Sequence, residues 1–394
     1  MNFNRLKKYT DSMNVCNMMI FVNDKGRGNK LKKSIVFTGG GSAGHVMVNL
    51  VLIPKFIQAG WDVHYIGSEN GIEKQLMTSI PSVQYYSVST GKLRRYFDWN
   101  NVKDPFKVIK GIFQSYRLFR KVKANVVFSA GGFVAVPVVL GGWLNKVPIV
   151  IREPDRTLGL ANKLSLPFAT KVCTTFPDTG QDLKTNKTIH IGGIIRDELK
   201  KGHYTGGQSY CGFTEEKPVL LVMGGSQGAQ RINETVRSCL DKLLTDFQIV
   251  HICGKEKVDP SIQVRGYQQF EYINEELSDI MAMTDFVVSR AGSTAIFELL
   301  SLQKPMLLIP LSNGASRGEQ VLNAQSFQNA GYAEVLLQEN LNNDTFIDAI
   351  YMLYQNREKY IGNMKKNKDN QAIDKLIDLI KKVADRSFWL RKFL

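Results

Sequence analysis

Apolar residues along this chain fall into short unbroken runs, separated by stretches in which apolar positions recur every three to four residues. The runs at 34–38 (SIVFT), 62–66 (DVHYI), 125–129 (NVVFS), 147–151 (VPIVI), 219–223 (VLLVM), 248–252 (QIVHI), 285–289 (DFVVS) and 305–309 (PMLLI) predict strands, most of them buried on both faces. The periodic stretches predict helices: His45 to a stop at Gly60 with Pro54 near the middle, Val134 to Leu144, Ala229 to Leu244, Glu275 to Ala282, Ser293 to Leu302, and one ending at Gly331. Strand and helix alternate throughout, which is the α/β class with parallel sheets. Ile189 to Arg196 reads as the last strand of the first half, Tyr267 to Ile273 as a short strand and loop, and the chain from Asn340 onward as mostly helix.

One unit occurs twice. The strand 34–38 runs into Gly39–Gly44 and a helix, and about 185 residues later the strand 219–223 runs into Gly224-Gly225-Ser226-Gln227-Gly228 and a helix. Gly39, Gly41 and Gly44 formally match GxGxxG, which by itself also fits a dinucleotide enzyme. An NAD enzyme needs only one such loop, whereas two point to two Rossmann-like domains facing each other across a cleft. The expected organisation is a basic, poorly ordered extension (1–33), a first Rossmann-like domain (34–197) and a linker (198–216) that includes the Gly and polar run from Lys201 to Gly212. A second Rossmann-like domain (217–370) follows, then a C-terminal helix (371–394) crossing back to the first.

In such a fold, ligands bind where strands end and helices begin. His45 falls in the first turn of a helix, whose positive end favours the neutral imidazole that a general base needs; capping or packing is its plain alternative. Glu153 follows a buried strand directly, with an ion pair to Arg152 as its alternative. Ser289, Arg290, Ser293, Glu298, Ser316, Arg317, Glu319, Gln320 and Asn323 can line one pocket, where a helix Glu can accept from both hydroxyls of a ribose and Gln or Asn can read sugar hydroxyls. A capping Ser and a solvated Glu are the structural reading of the same residues.

Charge changes the picture next. The net charge is +15, and residues 1–33, 91–123 and 355–394 carry +6, +8 and +6, leaving −5 for the rest. Local basicity implies an anionic partner, nucleic acid or membrane. No nucleic-acid motif is present, and the middle segment interleaves Lys92, Arg94 and Arg95 with Leu93, Tyr96, Phe97 and Trp99, a mixture suited to a membrane interface. No apolar run reaches about 18 residues, so no membrane span is expected. Met18 to Val22 is too short for a signal-peptide core, and no small-residue cleavage site follows it. The five cysteines show no CxxC pair and no nearby His at ligand spacing, which predicts reduced thiols with neither zinc nor disulfides.

Four motifs in this order and spacing, GGGSAGH (39–45), GGSQGA (224–229), SRAGSTAIFE (289–298) and QVLNA (320–324), resemble the MurG family of N-acetylglucosaminyltransferases. The resemblance runs from about Ser34 to about Lys382, and GKLRRYF (91–97) and ASRGEQ (315–320) look like Gram-positive versions. It implies a GT-B architecture, two Rossmann-like domains with parallel sheets facing a central cleft. It also implies an inverting transfer of GlcNAc from UDP-GlcNAc to the MurNAc C4 hydroxyl of lipid I, giving lipid II for peptidoglycan and so serving cell shape and division. No cofactor and no metal are implied. The implied place is the cytoplasmic face of the cell membrane, bound peripherally, with an anionic membrane surface and other cell-wall synthesis proteins as partners and no nucleic acid.

By motif position the donor would be held by Glu298 at the ribose, by Ile273 at the uracil, and by Gly225, Ser226 and Gln227 with Arg196 at the diphosphate. Ser293, Gln320 and Asn323 complete that side. Gly40, Gly41, Ser42, Gly44, His45 and Arg152 fall on the acceptor side, with His45 and Glu153 as catalytic groups and 92–97 and Trp99 at the membrane. Many members have His-Glu where this chain has Arg152-Glu153. That Arg either grips the acceptor diphosphate or lowers the pKa of Glu153 and weakens it as a base, which leaves His45 the first choice. The competing readings are a glycolipid synthase using diacylglycerol, a UDP-GlcNAc epimerase that needs no lipid, and a paralogue that binds nucleotide-sugar or membrane without turnover.

Overall fold

The computed structural model describes residues 32–41, 43–91, 100–183, 185–214, 216–225, 229–312, 318–367 and 371–392. Thirteen described strands form two sheets. The first runs β3-β2-β1-β4-β5-β6-β7, from β1 (Ser34–Thr38), β2 (Asp62–Gly67), β3 (Val83–Ser87), β4 (Val126–Ser129), β5 (Ile149–Glu153), β6 (Lys171–Thr174) and β7 (Thr188–His190). The second runs β10-β9-β8-β11-β12-β13, from β8 (Val219–Met223), β9 (Gln248–Ile252), β10 (Tyr267–Phe270), β11 (Phe286–Ser289), β12 (Met306–Leu308) and β13 (Ala333–Val335). Every pairing is parallel, so the side chains of the central strands must suit apolar surroundings on both faces. β1 and β4 are buried along their whole length, and so is β11.

In both sheets the strand order reverses beside the first strand, at the β1/β4 and β8/β11 gaps, where a crevice opens at the strand ends. The Gly-rich loops after β1 and β8 stand at these two crevices.

Each sheet has a hydrophobic core on either face. The core of the first sheet that includes Ile35, Phe37 and Phe56 also holds Leu376, Ile377, Ile380, Val383 and Ala384 of the last helix, Ala372–Lys392. Their spacing places them on one helix face. A loop residue of the first half, Phe176, packs the other way. It is buried in a core of the second sheet, with its ring centroid 5.1 Å from Phe297 and 6.1 Å from Phe327.

Three local expectations change. The run from Lys201 to Gly212 is not a bare linker but contains the helix Tyr204–Cys211, which lies against the helix Leu277–Met283. Gly207 permits this contact, since a Cβ there would meet the Asp279 carbonyl oxygen at 2.6 Å. The stretch expected as one strand to Arg196 pairs only over Thr188–His190, and Gly192 then turns at φ +87°. The expected helix from Ala229 to Leu244 is two, Gln230–Ser238 and Leu240–Asp246, parted at Cys239. The four described cysteines are buried and unbridged.

Candidate active site

The first wall of the cleft begins where β1 ends. Gly39 and Gly41 have φ +148° and +82°, and a side chain on Gly41 would begin 2.3 Å from a Phe133 ring carbon, so only glycine suits the turn. The Gly39 carbonyl is held by the Tyr65 hydroxyl at 2.6 Å, which in turn accepts from Asn49 Nδ2 at 3.0 Å. Glu73, fully buried, lies against Gly40 and Gly71 and accepts from the Ser68 backbone N–H and hydroxyl. None of these three supporting side chains stood out in the sequence, although a polar residue inside an otherwise apolar run is the signal that Tyr65 and Asn49 carried.

The loop after β4 supplies the other side of this wall. Gly131 and Gly132, at φ +92° and +83°, let the His45 ring close in. A side chain on Gly131 would begin 3.4 Å from His45 Nε2, and one on Gly132 would begin 3.3 Å from Nδ1. His45 is half-buried, in the first turn of the helix Ala43–Gln58.

Glu153 closes β5 and is buried, with both carboxylate oxygens engaged. Oε1 accepts from the Asp155 N–H at 3.1 Å, and Oε2 from the Gly159 N–H at 3.0 Å and Asn162 Nδ2 at 2.8 Å. Burial, followed by the Asp155 carboxylate, pushes its pKa up to about 7, while those three N–H donors hold it back. Of the two alternatives for Arg152, a depressed Glu153 is not what the structure gives, because burial outweighs the attraction of the neighbouring cation. Neighbouring strand residues point to opposite faces, and Arg152, itself pulled down to about 10 by burial, donates to the Thr175 hydroxyl at 3.3 Å.

The second wall centres on the helix Ser293–Ser301. Ser293 and Glu298 are buried on it, and Thr294 stands opposite Gly44, whose Cβ would lie 3.6 Å from the Thr294 hydroxyl. The two helix N-termini thus meet across the cleft, and the positive ends of both helix dipoles favour an anion there. Arg196 donates to both oxygens of Glu298, from Nε at 2.7 Å and from Nη2 at 3.0 Å. Asn323, fully buried on the helix Glu319–Asn329, is bound from the first domain as well. It donates to Asp155 Oδ1 at 3.0 Å and to the Ala291 carbonyl at 3.1 Å, and accepts from the Arg156 N–H at 2.9 Å.

Gln320 accepts from the Leu311 N–H at 3.2 Å, Ile273 is buried in a core of the second sheet, and Gly225 turns at φ +87° after β8. Arg290 is committed to the Ile309 and Pro310 carbonyls at 2.9 and 3.3 Å. Around Gly44, Arg152, Arg196, Thr294 and Glu298 the remaining gap is about 10 Å³, room for one water at most.

The structure therefore brings His45 and Glu153 together on one wall, and Glu298, Asn323 and Arg196 at the seam between the walls. Ser42, Ser226, Gln227, Lys92, Leu93, Arg94, Arg95, Tyr96, Phe97 and Trp99, with Ser316 and Arg317, lie outside the described residues. Among the described residues, no three His, Cys, Asp or Glu side chains gather as a metal ion would use.

Residues 35–174 match the N-terminal domain of glycosyltransferase family 28, and residues 219–380 match its C-terminal domain. The chain belongs to glycosyltransferase family 28. Within that family it is 61% identical over 356 residues to a Bacillus cereus protein named UDP-N-acetylglucosamine-N-acetylmuramyl-(pentapeptide) pyrophosphoryl-undecaprenol N-acetylglucosamine transferase 3, covering 90% of this chain and 100% of the relative. A Geobacillus thermodenitrificans protein of the same name, without the number, is 57% identical over 355 residues, covering 90% and 100%. Among solved structures, MurG of Acinetobacter baumannii superposes with a TM-score of 0.70 at 23% identity, over 89% of this chain and 99% of that one. The calicheamicin glycosyltransferase CalG4 superposes at 0.67 with 12% identity, over 90% and 99%. The GT-B fold of these family 28 domains is thus shared well beyond detectable sequence likeness.

Proposed function

We propose that this family 28 enzyme moves GlcNAc from UDP-GlcNAc to the C4 hydroxyl of the MurNAc unit of lipid I, with inversion, giving lipid II for peptidoglycan. The observation that carries this reading is the 61% identity, over the whole length of the relative, to a protein named for that transfer. The site chemistry agrees with it. The acceptor hydroxyl attacks the anomeric carbon, the bond from that carbon to the UDP oxygen breaks, and the hydroxyl proton passes to His45. His45 is the base because it is half-buried beside the cleft, whereas both oxygens of the buried Glu153 are occupied by N–H donors.

On the donor side, Glu298 takes the ribose hydroxyls, the backbone near Ile273 the uracil, and Gln320 the GlcNAc hydroxyls. Asn323, whose amide is occupied at both ends by Asp155, Ala291 and Arg156, ties the two domains together beside the sugar. Ser293 lies in the first turn of the helix that carries Glu298. Gly225, Ser226 and Gln227 with Arg196 take the diphosphate, where negative charge grows as the bond breaks and stabilisation lowers the barrier most. Gly40, Gly41, Ser42, Gly44 and Arg152 take the acceptor.

The lipid acceptor calls for attachment to the membrane surface at the cytoplasmic face. No described helix is long and apolar enough to cross a membrane. The helix Asn100–Val122 instead exposes Phe106, Ile109 and Phe113 (71, 64 and 55%), three positions on one face. Trp143, Leu144, Leu160 and Leu164 are also exposed, on or beside the neighbouring helices 135–144 and 160–165. Lys107, Lys110, Arg117, Arg120 and Lys121 supply charge for anionic headgroups. This apolar face adds to the basic, aromatic 92–99 segment that precedes it.

The deciding assay offers UDP-GlcNAc with a lipid I analogue, with diacylglycerol, or with no acceptor. UDP release only with the lipid I analogue is the expected result. Release with diacylglycerol, conversion without any acceptor, or donor binding with no turnover would each overturn the reading.

A further inference from the structure

Arg152 is a cation that the fold buries and leaves largely uncompensated. It is 2% exposed near the end of β5, and even with its pKa pulled down to about 10 by burial it is charged at neutral pH. Its one side-chain hydrogen bond among the described residues runs from Nη2 to the Thr175 hydroxyl at 3.3 Å, and Nε is buried with no partner. The carboxylates nearest in sequence are engaged elsewhere. Glu153 accepts from the Asp155 and Gly159 N–H groups and from Asn162, and Asp155 accepts from Asn323. An unsatisfied buried donor on a charged group is uncommon enough to require a reason.

The reason lies in the gap that Arg152 lines. Gly44, in the first turn of the helix Ala43–Gln58, lines the same gap, as do Thr294 in the first turn of the helix Ser293–Ser301, Arg196 and Glu298. Two positive helix ends and two guanidinium groups thus border one space, against one carboxylate that Arg196 already holds. The surplus is positive, which suits an anion. At about 10 Å³ the gap has room for one water at most, so the anion enters as the two walls part.

Bond connectivity selects the anion. The diphosphate of a UDP-sugar hangs from C5 of the ribose, so a nucleotide with its ribose hydroxyls on Glu298 carries its phosphates beside that carboxylate. The acceptor's diphosphate is on C1 of its sugar, across the ring from the C4 hydroxyl that attacks.

We propose that Arg152, beyond the acceptor contact that its motif position implies, grips the donor diphosphate opposite Arg196, so that two guanidinium groups clamp UDP as it leaves. This rests on the reading of UDP-GlcNAc as the donor with its ribose at Glu298. As the bond from the anomeric carbon to the UDP oxygen breaks, its electron pair goes to the diphosphate. Two cations fixed there in advance stabilise that growing charge more than the charge already present in the ground state.

The test is calorimetry of UDP and of uridine with wild type, Arg152→Gln, Arg152→Lys and Glu298→Ala, beside the KM for a lipid I analogue. Arg152→Gln should weaken UDP about 10- to 100-fold, the worth of a hydrogen bond to a charged group, and leave uridine, which has no phosphate, within about twofold. Arg152→Lys keeps the charge without the fork and should fall between wild type and Gln. Should the Gln protein not fold, the Lys protein reads the same ratio of UDP to uridine.

Equal weakening of UDP and uridine would mark a general loss of the site's shape, and unchanged UDP with a raised KM for the lipid I analogue would leave Arg152 to the acceptor. Either result overturns the proposal. If Glu298→Ala also binds UDP as wild type does, the donor placement itself has failed. If Glu298→Ala weakens both UDP and uridine while the Arg152 variants keep wild-type UDP affinity, only the clamp has failed.

Discussion

The Arg196 guanidinium holds both carboxylate oxygens of Glu298, joining the segment that leaves the first domain to the helix Ser293–Ser301 of the second. Glu298 is almost fully buried and Arg196 about a quarter exposed, so the pair is shielded better than a surface ion pair. A carboxylate has about four lone-pair sites, so Glu298 can keep this fork and still accept from ribose hydroxyls. Glu298→Ala should then raise the KM for UDP-GlcNAc both by losing the ribose and by freeing Arg196. Arg196→Lys loses the fork geometry and should also weaken donor binding. In a double-mutant cycle the two should couple by roughly 0.5–3 kcal/mol. Additive effects on donor affinity, measured by calorimetry, would show that the pair does not act as a unit.

Glu153 makes stability depend on pH in a direction opposite to most carboxylates. Its folded-state pKa is raised from the ordinary 4.5 to about 7, so between those values the folded state binds more protons than the unfolded chain. The contribution is fully present below about pH 4.5 and is lost as pH rises through 7, on the order of 3 kcal/mol in all. Denaturant midpoints taken from pH 5 to pH 8 should fall on this account. Glu153→Gln removes the titrating group, and its curve should be flatter over that window. A wild-type and variant pair with the same slope would contradict the assignment.

Phe176 is the aromatic tie between the domains. Its ring is buried against Phe297 and Phe327, whose own centroids lie 5.1 Å apart. Phe176→Ala should cost roughly 3–5 kcal/mol of stability, as large-to-small core changes do. Phe176→Leu should cost less. A near-neutral Phe176→Ala in thermal denaturation would mean that the cluster does not bear on folding.

The exposed face of the helix Asn100–Val122 should set membrane attachment. A variant carrying Phe106→Ser, Ile109→Ser and Phe113→Ser should sediment less with vesicles containing anionic lipid while binding UDP-GlcNAc as before. Wild-type binding to the same vesicles should weaken as salt rises, because the basic rim is screened over about 10 Å at 0.1 M ionic strength. Unchanged sedimentation of the triple variant would remove this face from the membrane reading.

Much of this protein was legible along the chain. The runs at 34–38, 219–223 and 285–289 are strands because a strand buried on both faces needs unbroken apolar residues. The turns after β1 and β8 are Gly-rich because a positive φ or a close approach needs glycine, as at Gly39, Gly41 and Gly225. The motif around Glu298 reads as a site because charged residues at strand and helix ends lie at the ligand edge. All of these are properties of neighbours in sequence, and local sterics and periodicity determine them.

What tertiary structure alone decided involves partners far apart in the chain. Arg196 meets Glu298, Asn323 meets Asp155 and Arg156, Phe176 enters the second core, and the last helix completes the first core. Asn162 gave no sign that its amide nitrogen would hold Glu153 and the Arg152 carbonyl, because that contact exists only once the helix Leu160–Ser165 folds back on the end of β5. Arg152 likewise sat next to Glu153 in sequence, yet the carboxylate is raised rather than depressed, since burial outweighs the charge. Hydrogen-bond pairing and burial depend on which elements approach one another, and packing, rather than periodicity, settles that.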